Sequence, residues 1–389
     1  MKIFIIHNYY QHKGGEDMVF MQETEELKAS HEVETMTFKN KKGYKGLFQF
    51  LLYPWNILAA NRILKQVSLS TPDIVHIHNI HYAIGPYVFK VLHKRNIPVI
   101  MTLHNFRILD PSATLFHNGQ VFTDTTTEEF PWKSVQNKVL DNSWLKTFWT
   151  AFTYFLHKKV QTWKNVDRYL VLSNFAKELL IHSSLHLSPD KITVKSNFVK
   201  PSSISNDGSD RQDYFVYIGR LSEEKGIMPL LRAFSRSTYT IKICGDGPFR
   251  KEVESYAARC PNIEYIGFLA KEGLDHVLYN SQALIIPSIC YEGMPIAALE
   301  AFSNGTPVIA SALGILKEMV REGATGLYFK ANDEDSLLHA LDRWQKLNVE
   351  EKALISENCK KEYWEKYSPQ KNVLLLESIY QEIITNYKK

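Results

Sequence analysis

CYEGMPIAALEAFSNGTPVIAS, from Cys290 to Ser311, is the stretch of sequence that decides the fold. It joins two short apolar runs, ALIIPS (283–288) and PVIAS (307–311), which have the length of buried strands. Between them MPIAALEAFSN predicts a helix, because Pro295 suits a first turn and Gly305 suits the position after the last turn. A strand, a helix and a strand in this order indicate a right-handed crossover in a parallel sheet.

The same alternation of apolar runs and longer amphipathic segments repeats along the chain. The runs of a first set are KIFIIH (2–7), EVETMT (32–37), DIVHIH (73–78), PVIMTLH (98–104), RYLVLS (168–173) and KITVKS (191–196). Those of a second set are DYFVYIG (213–219), YTIKICG (239–245), IEYIGF (263–268), ALIIPS and PVIAS. KPSSISNDGSDRQD (200–213) is polar and predicts a linker. The pattern predicts an α/β protein with two Rossmann-like, doubly wound domains, residues 1–199 and 214–367, that face each other across a cleft.

Composition and charge limit the classes of function. Hydrophobic residues make up 44% of the 389 residues and charged residues 23%, as in folded, soluble proteins. Residues 1–200 hold 24 Lys and Arg against 16 Asp and Glu (+8), and the remainder holds 22 against 26 (−4), so an anionic partner is expected on the first half. The four cysteines form no CxxC pair, which favours a reducing compartment. Neither a signal peptide nor an apolar stretch of about 18 residues is found.

Polar residues cluster where the predicted strands end, and ligands of doubly wound sheets bind beyond those ends. Those that follow a strand are His7, Gly14, Gly15, His104, Arg220, Lys225, Gly245, Asp246, Gly247 and Glu292. The helix after Glu292 offers the amides of Met294, Ile296 and Ala297, which attract phosphate. Glu292 in the loop and Glu300 in the helix flank these amides. The arrangement suits a nucleotide sugar, with the diphosphate at the helix and one carboxylate each for the sugar and the ribose.

Each of these features also has a simpler interpretation. The two glutamates could be solvated residues of a capped helix, because acidic residues near helix N-termini are common. Arg220 and Lys225 could neutralise a diphosphate leaving group, or they could form surface ion pairs with Glu223 or Glu224. ICGDGP (243–248) is a glycine turn that lets a ligand approach the backbone, but no GxGxxG follows, which argues against an NAD enzyme.

EGMPIAALE (292–300) resembles the E-x7-E motif of the family 4 retaining glycosyltransferases, which have the GT-B fold. The segments GRLSEEKG, CGDGP, IEYIGF, EGMPIAALEAFSNGTPVIAS and GATGLYF are similar to the landmarks of that family in order and spacing. In the first domain the similar segments are HNYYQHKGGEDMV, DIVHIHN, PVIMTLHNFR, RYLVLSNFAKELL and ITVKSNFV. The resemblance covers nearly the whole chain. It implies that the last helix, within residues 368–389, packs back on the first domain.

The resemblance also implies roles for matching residues. Glu292 would bind hydroxyls of the donor sugar, Glu300 those of the ribose, and His104 would lie beside the sugar at the reaction centre. The expected catalytic residues are His104, Glu292, Arg220 and Lys225. The expected donor-binding residues are Gly14, Gly15, Gly245, Asp246, Gly247, Phe268, Gly293, Met294, Pro295, Ile296 and Glu300. Transfer would proceed with retention at the anomeric carbon, with no divalent metal and no cofactor other than the nucleotide sugar as co-substrate.

Two polar segments of the first domain have open roles. HIHNIH (76–81) has the spacing of a zinc site, but no carboxylate cluster accompanies it in the sequence, and contacts of a strand end with an acceptor are favoured. DPSATLFHNGQVFTDTTTEEFPW (110–132) lacks the cysteines that some relatives carry there, so a metal or disulfide staple is not expected.

Two basic, aromatic segments account for the charge of the first domain. KNKKGYKGLFQFLLYPWNILAANRILK (39–65) has six cations and no acid, which favours contact with an anionic membrane interface over a core helix with solvated lysines. WLKTFWTAFTYFLHKKVQTWK (144–164) has four cations and seven aromatics and suits membrane contact and packing on the sheet equally. Neither segment has the pattern of a nucleic-acid-binding module.

These observations predict a glycosyltransferase that is peripheral on the cytoplasmic, inner face of the cell membrane. It would add a sugar to a lipid-linked oligosaccharide for capsule, O-antigen, exopolysaccharide or a similar surface polysaccharide, with a UDP-sugar as favoured donor and GDP-mannose second. One alternative is a sugar-nucleotide epimerase of the same fold, for which the basic aromatic segments would have no purpose. Another is a catalytically silent partner in glycan assembly, against which the intact Glu292, Arg220, Lys225 and His104 argue.

Overall fold

The computed structural model describes residues 1–11, 14–202 and 211–387, which form two compact units. Unit 1 consists of Met1–His117, Phe122–Asn197 and Asn372–Lys389, and unit 2 consists of Asn118–Val121 and Phe198–Lys371. Residues 203–210 of the predicted linker 200–213 lie outside the described residues. So do residues 12 and 13 of the predicted glycine loop.

Unit 1 is built on a parallel six-stranded sheet. Its strands are β1 (Lys2–Tyr9), β2 (Glu32–Lys39), β3 (Ile74–Ile77), β4 (Val99–Leu103), β7 (Arg168–Val171) and β8 (Ile192–Val194). The two-residue strands β5 (Phe116–His117) and β6 (Gln120–Val121) form a separate sheet. The order across the sheet is β2-β1-β3-β4-β7-β8, with neighbours parallel. Its helices are α1 (Gly15–Lys28), α2 (Gly43–Leu52), α3 (Ile57–Ser70), α4 (Tyr87–His93), α5 (Trp132–Gln136), α6 (Trp144–Lys159) and α7 (Asn174–Ile181). From β1 the chain first adds β2 on one side and then adds β3, β4, β7 and β8 on the other side. This reversal of direction is the doubly wound pattern.

Unit 2 repeats this plan. Its strands are β9 (Phe215–Ile218), β10 (Ile241–Cys244), β11 (Ile263–Gly267), β12 (Leu284–Ile286), β13 (Val308–Ser311) and β14 (Gly326–Phe329), in the order β11-β10-β9-β12-β13-β14 and all parallel. Its helices are α8 (Ile227–Ser235), α9 (Arg250–Arg259), α10 (Lys271–Asn280), α11 (Ile296–Ser303), α12 (Leu316–Met319), α13 (Glu334–Gln345) and α14 (Val349–Glu362). The last helix, α15 (Pro369–Tyr387), belongs to unit 1 from Asn372 onward.

Both faces of the unit 1 sheet are covered, which explains the continuous apolar run at the start of the chain. Ile3, Phe4, Ile5 and Ile6 of β1 are all fully buried. Two of them face a cluster that contains α15, whose core residues are Leu376, Ile379, Tyr380, Ile383 and Ile384. The other two face a cluster formed with α3 and α4. The last helix therefore completes the core that the first strand begins.

The predicted fold class is confirmed: each predicted strand is present, and both sheets are parallel and doubly wound. The sequence did not predict β14, which begins with a glycine. A Cβ on Gly326 would lie 1.8 Å from the Val308 carbonyl oxygen, so β13 can approach this closely only if the residue is glycine. Glycine is a poor strand former, which is why the sequence did not indicate a strand here. The predicted start of α11 is wrong by two residues. Pro295 has extended backbone (φ −69°, ψ 116°) and is the N-cap, which leaves Met294 outside the helix.

Candidate functional site

The carboxyl end of the unit 2 sheet carries an ion pair between a buried carboxylate and a half-buried lysine. Glu292, in the loop after β12, is 8% exposed, and Lys225 Nζ lies 2.7 Å from both of its carboxylate oxygens. Ser288 Oγ donates a further hydrogen bond of 2.5 Å to Glu292 Oε1, and Ser311 Oγ donates to the Ser288 carbonyl oxygen at 2.6 Å. Burial opposes the charge on Lys225, but the Glu292 carboxylate outweighs burial and raises the pKa of Lys225. The ammonium is thus held charged against a carboxylate that β12 and β13 orient.

Close backbone packing determines the position of Lys225. The next residue, Gly226, has a φ of +68°, and a Cβ there would lie 1.9 Å from the Pro287 carbonyl oxygen. Only glycine permits this approach of the turn after β9 to the end of β12. The packing brings Lys225 to Glu292, so the alternative of a surface ion pair with a glutamate of its own turn is wrong for this lysine.

Glu300, in α11, is the second buried carboxyl of this end of the sheet. It is 5% exposed, and burial raises the pKa of its carboxyl, with Lys271 acting against burial from 3.6 Å. Lys271 makes its shorter contact with buried Asp275, at 2.6 Å from Nζ to Oδ1. Among the described residues Lys271 is the only cation within ion-pair distance of Glu300. Since neither Glu292 nor Glu300 is solvated, the interpretation as a simple capped helix is wrong.

Six further predicted site residues of unit 2 are exposed or lie between the two glutamates. Arg220 is exposed, and within the described ranges it forms no salt bridge, so it has not taken the surface partner that the sequence left open. Phe268, which follows β11, is 83% exposed. The predicted residues Gly293, Met294, Pro295 and Ile296 lie in the loop and at the start of α11, between the two glutamates.

The two glycines in the turn after β10 are required by packing against another loop of unit 2. A Cβ on Gly245 (φ +141°) would lie 1.9 Å from the Gly219 carbonyl oxygen. A Cβ on Gly247 would lie 2.5 Å from the Leu221 carbonyl oxygen, and the Asp246 carbonyl accepts the Leu221 N–H at 3.0 Å. Packing against the loop after β9 is therefore sufficient to require glycine at both positions.

In unit 1 the glycine loop leads into α1, with Gly14 as N-cap and Gly15 as first residue. Asp17 closes this turn, because its Oδ2 accepts the Gly14 N–H at 2.9 Å and its Oδ1 lies 2.7 Å from His7 Nε2. A Cβ on Gly14 would meet no atom of the described residues within 4 Å. The start of α1 is thus tied to β1 through Asp17.

His104 follows β4 and lines a small, partly open pocket in unit 1. Other polar residues of its wall are Tyr10, Glu16, Asn79, His81, Asn105 and Arg107. The sequence did not predict Glu16 or Arg107 as site residues. Both lie inside motifs that were recognised, GGEDM and LHNFR, and their charges at strand ends were the available signal.

Glu16 gives this pocket a carboxyl that titrates near neutral pH. Asn79 Nδ2 donates to Glu16 Oε1 at 2.7 Å, and Asn105 Nδ2 lies 3.5 Å from the other oxygen. Burial and the neighbouring Asp17 raise the pKa of Glu16 to about 8, while Arg107 acts in the opposite direction. The pocket therefore combines a cation with a carboxyl that can accept or donate a hydrogen bond, which suits recognition of hydroxyl groups.

The histidines of HIHNIH do not act as one set. His81 bonds to the Tyr53 hydroxyl at 3.1 Å, away from the other two. His76 and His78 approach the buried Glu23, which the sequence did not predict, closely enough to hold a metal ion. However, His76 Nδ1 lies 2.7 Å from the Tyr380 hydroxyl and Nε2 lies 2.7 Å from Thr102 Oγ1, so both nitrogens are used.

A lysine supplies the positive charge of this cluster. Lys195 Nζ lies 2.7 Å from Glu23 Oε2, and both side chains are buried. Burial opposes the charge of Glu23, but Lys195 and the neighbouring His78 outweigh it and hold the pKa of the Glu23 carboxyl well below its ordinary value. The cluster is thus an ion-pair network with its own cation.

The two basic aromatic segments differ in burial. α2 contains no buried residue, and Tyr44 (79% exposed), Leu47, Phe48 and Leu51 present apolar surface. α6 buries one face and ties to the first segment through Trp149 Nε1, which donates to the Phe50 carbonyl oxygen at 2.6 Å. None of the helices in the described ranges has both the length and the apolar character that crossing a bilayer requires.

Two families match the chain. Residues 9–203, half of the chain, match the family described as Glycosyltransferase Family 4. Residues 201–362 match the family described as Glycosyl transferases group 1.

Single relatives match over shorter spans. An uncharacterized glycosyltransferase of Methanocaldococcus jannaschii is 30% identical over 170 residues, 41% of this chain and 42% of that protein. The UDP-Gal:alpha-D-GlcNAc-diphosphoundecaprenol alpha-1,3-galactosyltransferase of Escherichia coli is 27% identical over 249 residues, 57% of this chain and 62% of that protein. The chain thus spans less than two thirds of the length of these relatives. Anabaena HepE in complex with UDP has a TM-score of 0.68 at 15% identity, covering 98% of this chain and 100% of HepE, which is a likeness of fold.

Proposed function

Because the chain belongs to glycosyltransferase family 4, we propose that it moves a sugar from a nucleotide diphosphate sugar to a lipid-linked glycan, with retention at the anomeric carbon. The observation that carries the proposal is the ion pair of Lys225 with the buried Glu292, at the same end of the sheet as the buried Glu300. The product would enter capsule, O-antigen or a similar surface polysaccharide. The name of the Escherichia coli relative, which specifies a diphosphoundecaprenol-linked acceptor, supports this class of acceptor.

Glu292 would bind hydroxyls of the donor sugar and would not act as a nucleophile on it. Its carboxylate already accepts hydrogen bonds from Lys225 and Ser288, so it is not the free carboxylate that a covalent glycosyl intermediate needs. Its remaining lone pairs can accept sugar hydroxyls. Glu300, whose nearest cation stays 3.6 Å away, would accept the hydroxyls of the ribose.

The transfer would break the bond between the anomeric carbon and the diphosphate oxygen, and the electron pair would leave with the diphosphate. The exposed Arg220, Lys225 and the N-terminus of α11 would stabilise the charge of this leaving group. These groups would replace a divalent cation. The acceptor hydroxyl would bond to the anomeric carbon on the same face and give its proton to the departing phosphate. His104 would contact the donor sugar.

UDP is the favoured nucleotide, and GDP the second. The Escherichia coli relative is named for UDP-Gal, and HepE of similar fold was solved with UDP, which supports this order. The test is thermal unfolding with UDP, GDP and ADP, each with and without EDTA. A nucleotide at about 100 times its Kd adds about 2.7 kcal/mol of stability. We expect one nucleotide to raise the melting temperature and EDTA to leave the shift unchanged.

The outcomes separate the alternatives. No shift with any of the three nucleotides would contradict the proposal and favour a catalytically silent partner. A shift that EDTA abolishes would contradict the metal-free site. Conversion of a UDP-sugar to its epimer without any acceptor would favour the epimerase.

We further propose that α2 docks on the inner face of the cell membrane. Its exposed Tyr44 and Phe48 would insert among the lipids, with the lysines of residues 39–45 at anionic headgroups. Flotation with phosphatidylglycerol vesicles should retain the wild type, and Tyr44→Ser/Phe48→Ser should weaken retention several-fold. Leu354→Ser, at an exposed apolar residue of α14, is the matched control. Equal retention of both variants would contradict the assignment, and Leu145→Ser tests the second segment in the same way.

A further inference from the structure

The pocket that His104 lines in unit 1 also contains a guanidinium without a counter-ion. Arg107 is the only lysine or arginine of the pocket wall in the described part of the chain, and it forms no ion pair there. Its Nη1 donates to the Pro111 carbonyl oxygen at 2.9 Å, and the phenol of Tyr10 lies beside it. Its buried Nε has no hydrogen-bond partner among the described residues. A guanidinium is always charged and has five N–H donors, so a charge and several donors are left for a ligand.

Glu16, the only acidic residue of the pocket wall within the same ranges, does not balance this charge. Burial and the neighbouring Asp17 raise the pKa of Glu16 to about 8, so at pH 7 its carboxyl is predominantly protonated. Burial and the proximity of Arg107 hold the pKa of His81 well below its ordinary value, so this histidine is neutral. The pocket therefore presents a permanent positive charge beside neutral hydrogen-bonding groups, which is an environment that favours an anion.

The wall of the pocket continues into the aromatic packing beneath α2. Tyr154 lines the pocket, and its hydroxyl oxygen accepts from the Tyr53 hydroxyl at 2.9 Å. The ring of Tyr53 packs edge-on against that of Tyr82, with centroids 5.2 Å apart. The ring of Tyr82 in turn packs against Phe50 of α2, with centroids 5.6 Å apart. A short run of aromatic side chains thus joins the pocket to the helix that carries the exposed apolar surface.

A ligand with an anion for Arg107 and a lipid for α2 would match both features. We propose that Arg107 binds a diphosphate in the pocket of unit 1, and that this is the diphosphate that joins the glycan of the acceptor to its lipid. The choice of the acceptor rests on the proposed function, whereas the anion site does not. A guanidinium suits this group because its N–H donors can bind two phosphate oxygens at once. The diphosphate of the donor has its own proposed partners in unit 2, Arg220 and Lys225.

A lipid diphosphate of simple structure tests the site. Farnesyl diphosphate is the probe, farnesol is its uncharged control, and saturating UDP occupies any site for the diphosphate of the donor. In titration calorimetry the wild type should bind farnesyl diphosphate and not farnesol. Arg107→Gln should weaken this binding by at least about tenfold, because charge-assisted hydrogen bonds are lost, and should leave the affinity for UDP unchanged. Arg95→Gln, at an exposed arginine of unit 1, should bind as the wild type does.

Three results would overturn the proposal. Equal affinities of the wild type and Arg107→Gln for farnesyl diphosphate would refute the anion site. Equal binding of farnesol would show that the lipid chain alone is recognised. A loss of affinity for UDP in Arg107→Gln, with farnesyl diphosphate bound as before, would assign Arg107 to the donor and refute the role at the acceptor.

Failure of the proposed function is distinguishable from failure of this site. If UDP does not bind to the wild type, the proposed function is refuted, whereas a loss of farnesyl diphosphate binding in Arg107→Gln still supports the anion site. If Arg107→Gln does not fold because the Pro111 carbonyl oxygen has lost its donor, Arg107→Lys takes its place. Lysine keeps the charge but not the planar fork of donors, so affinity for farnesyl diphosphate should fall by at least about threefold, and an unchanged affinity would refute the proposal.

Discussion

Replacing Glu300 by glutamine should separate nucleotide binding from folding. Gln has nearly the same shape, but one of its two terminal atoms becomes a donor and the charge is lost. The protein without nucleotide should tolerate this change in its folding stability, because burial already penalises the ionised Glu300 carboxyl and raises its pKa. The folded state therefore gains by losing this charge, and the melting temperature of Glu300→Gln should equal or exceed that of the wild type.

Binding should respond in the opposite direction. A hydrogen bond to a charged group contributes about 1.5–3 kcal/mol, and loss of one such bond to the ribose corresponds to about a 10- to 150-fold weaker affinity for UDP. Lys271 cannot compensate, because its short contact is with Asp275. Titration calorimetry with UDP measures the change, and Glu272→Gln, exposed on α10, is the control that should bind as the wild type does.

A double cycle with 2′,3′-dideoxy-UDP shows whether the ribose is the partner. The wild type should lose affinity when the two hydroxyls are removed, whereas Glu300→Gln should bind both nucleotides nearly equally. If Glu300→Gln binds UDP as tightly as the wild type, or loses the same factor for both nucleotides, then Glu300 does not contact the ribose and the reasoning fails.

Two further predictions concern stability. Gly323→Ala should cost about 1–2 kcal/mol for its positive φ alone, since no atom of the described residues lies within 4 Å of the new Cβ. Gly226→Ala should cost clearly more, because its Cβ meets the Pro287 carbonyl oxygen, and equal losses of stability in urea unfolding would contradict this. Glu16 has an ordinary pKa of 4.5 and a folded pKa of about 8, so its stabilising contribution is complete below 4.5 and is lost as the pH rises through 8. Urea unfolding between about pH 5 and about pH 9 should show this decline in the wild type and a smaller one in Glu16→Gln, and an identical decline in both would rule it out.

The parts of the structure that could be predicted have local determinants. Strand runs, their polar ends and the position of Glu292 after β12 depend on short stretches of chain. β14 could not be predicted in this way, because the reason for its Gly326 is the backbone of β13, a neighbour in space. The start of α11 was placed too early because Pro295 is equally compatible with an N-cap and with a first turn.

The network around Glu23 shows both the limit and the signal. Glu23 lies in α1 and contacts His76, His78 and Lys195, which are far from it in sequence. No carboxylate therefore appears near HIHNIH in the sequence. Nevertheless Glu23 lies three residues after Phe20 and four before Leu27, on the buried face of α1, where a lone carboxylate needs a cation. That position is the pattern that could have predicted it, although Lys195 as the partner emerges only from the fold.

The packing of α15 on β1 has a consequence for synthesis of the protein. One core of unit 1 joins Ile3 and Ile5 to Tyr380 and Ile383, and unit 2 is translated between them. On the ribosome, β1 must therefore wait with an uncovered face until residues beyond Tyr380 have emerged, while unit 2 can already fold. Unit 2 can therefore complete its fold before unit 1, although unit 1 begins at the N-terminus. Nascent chains that stall before α15 should be the ones that chaperones bind.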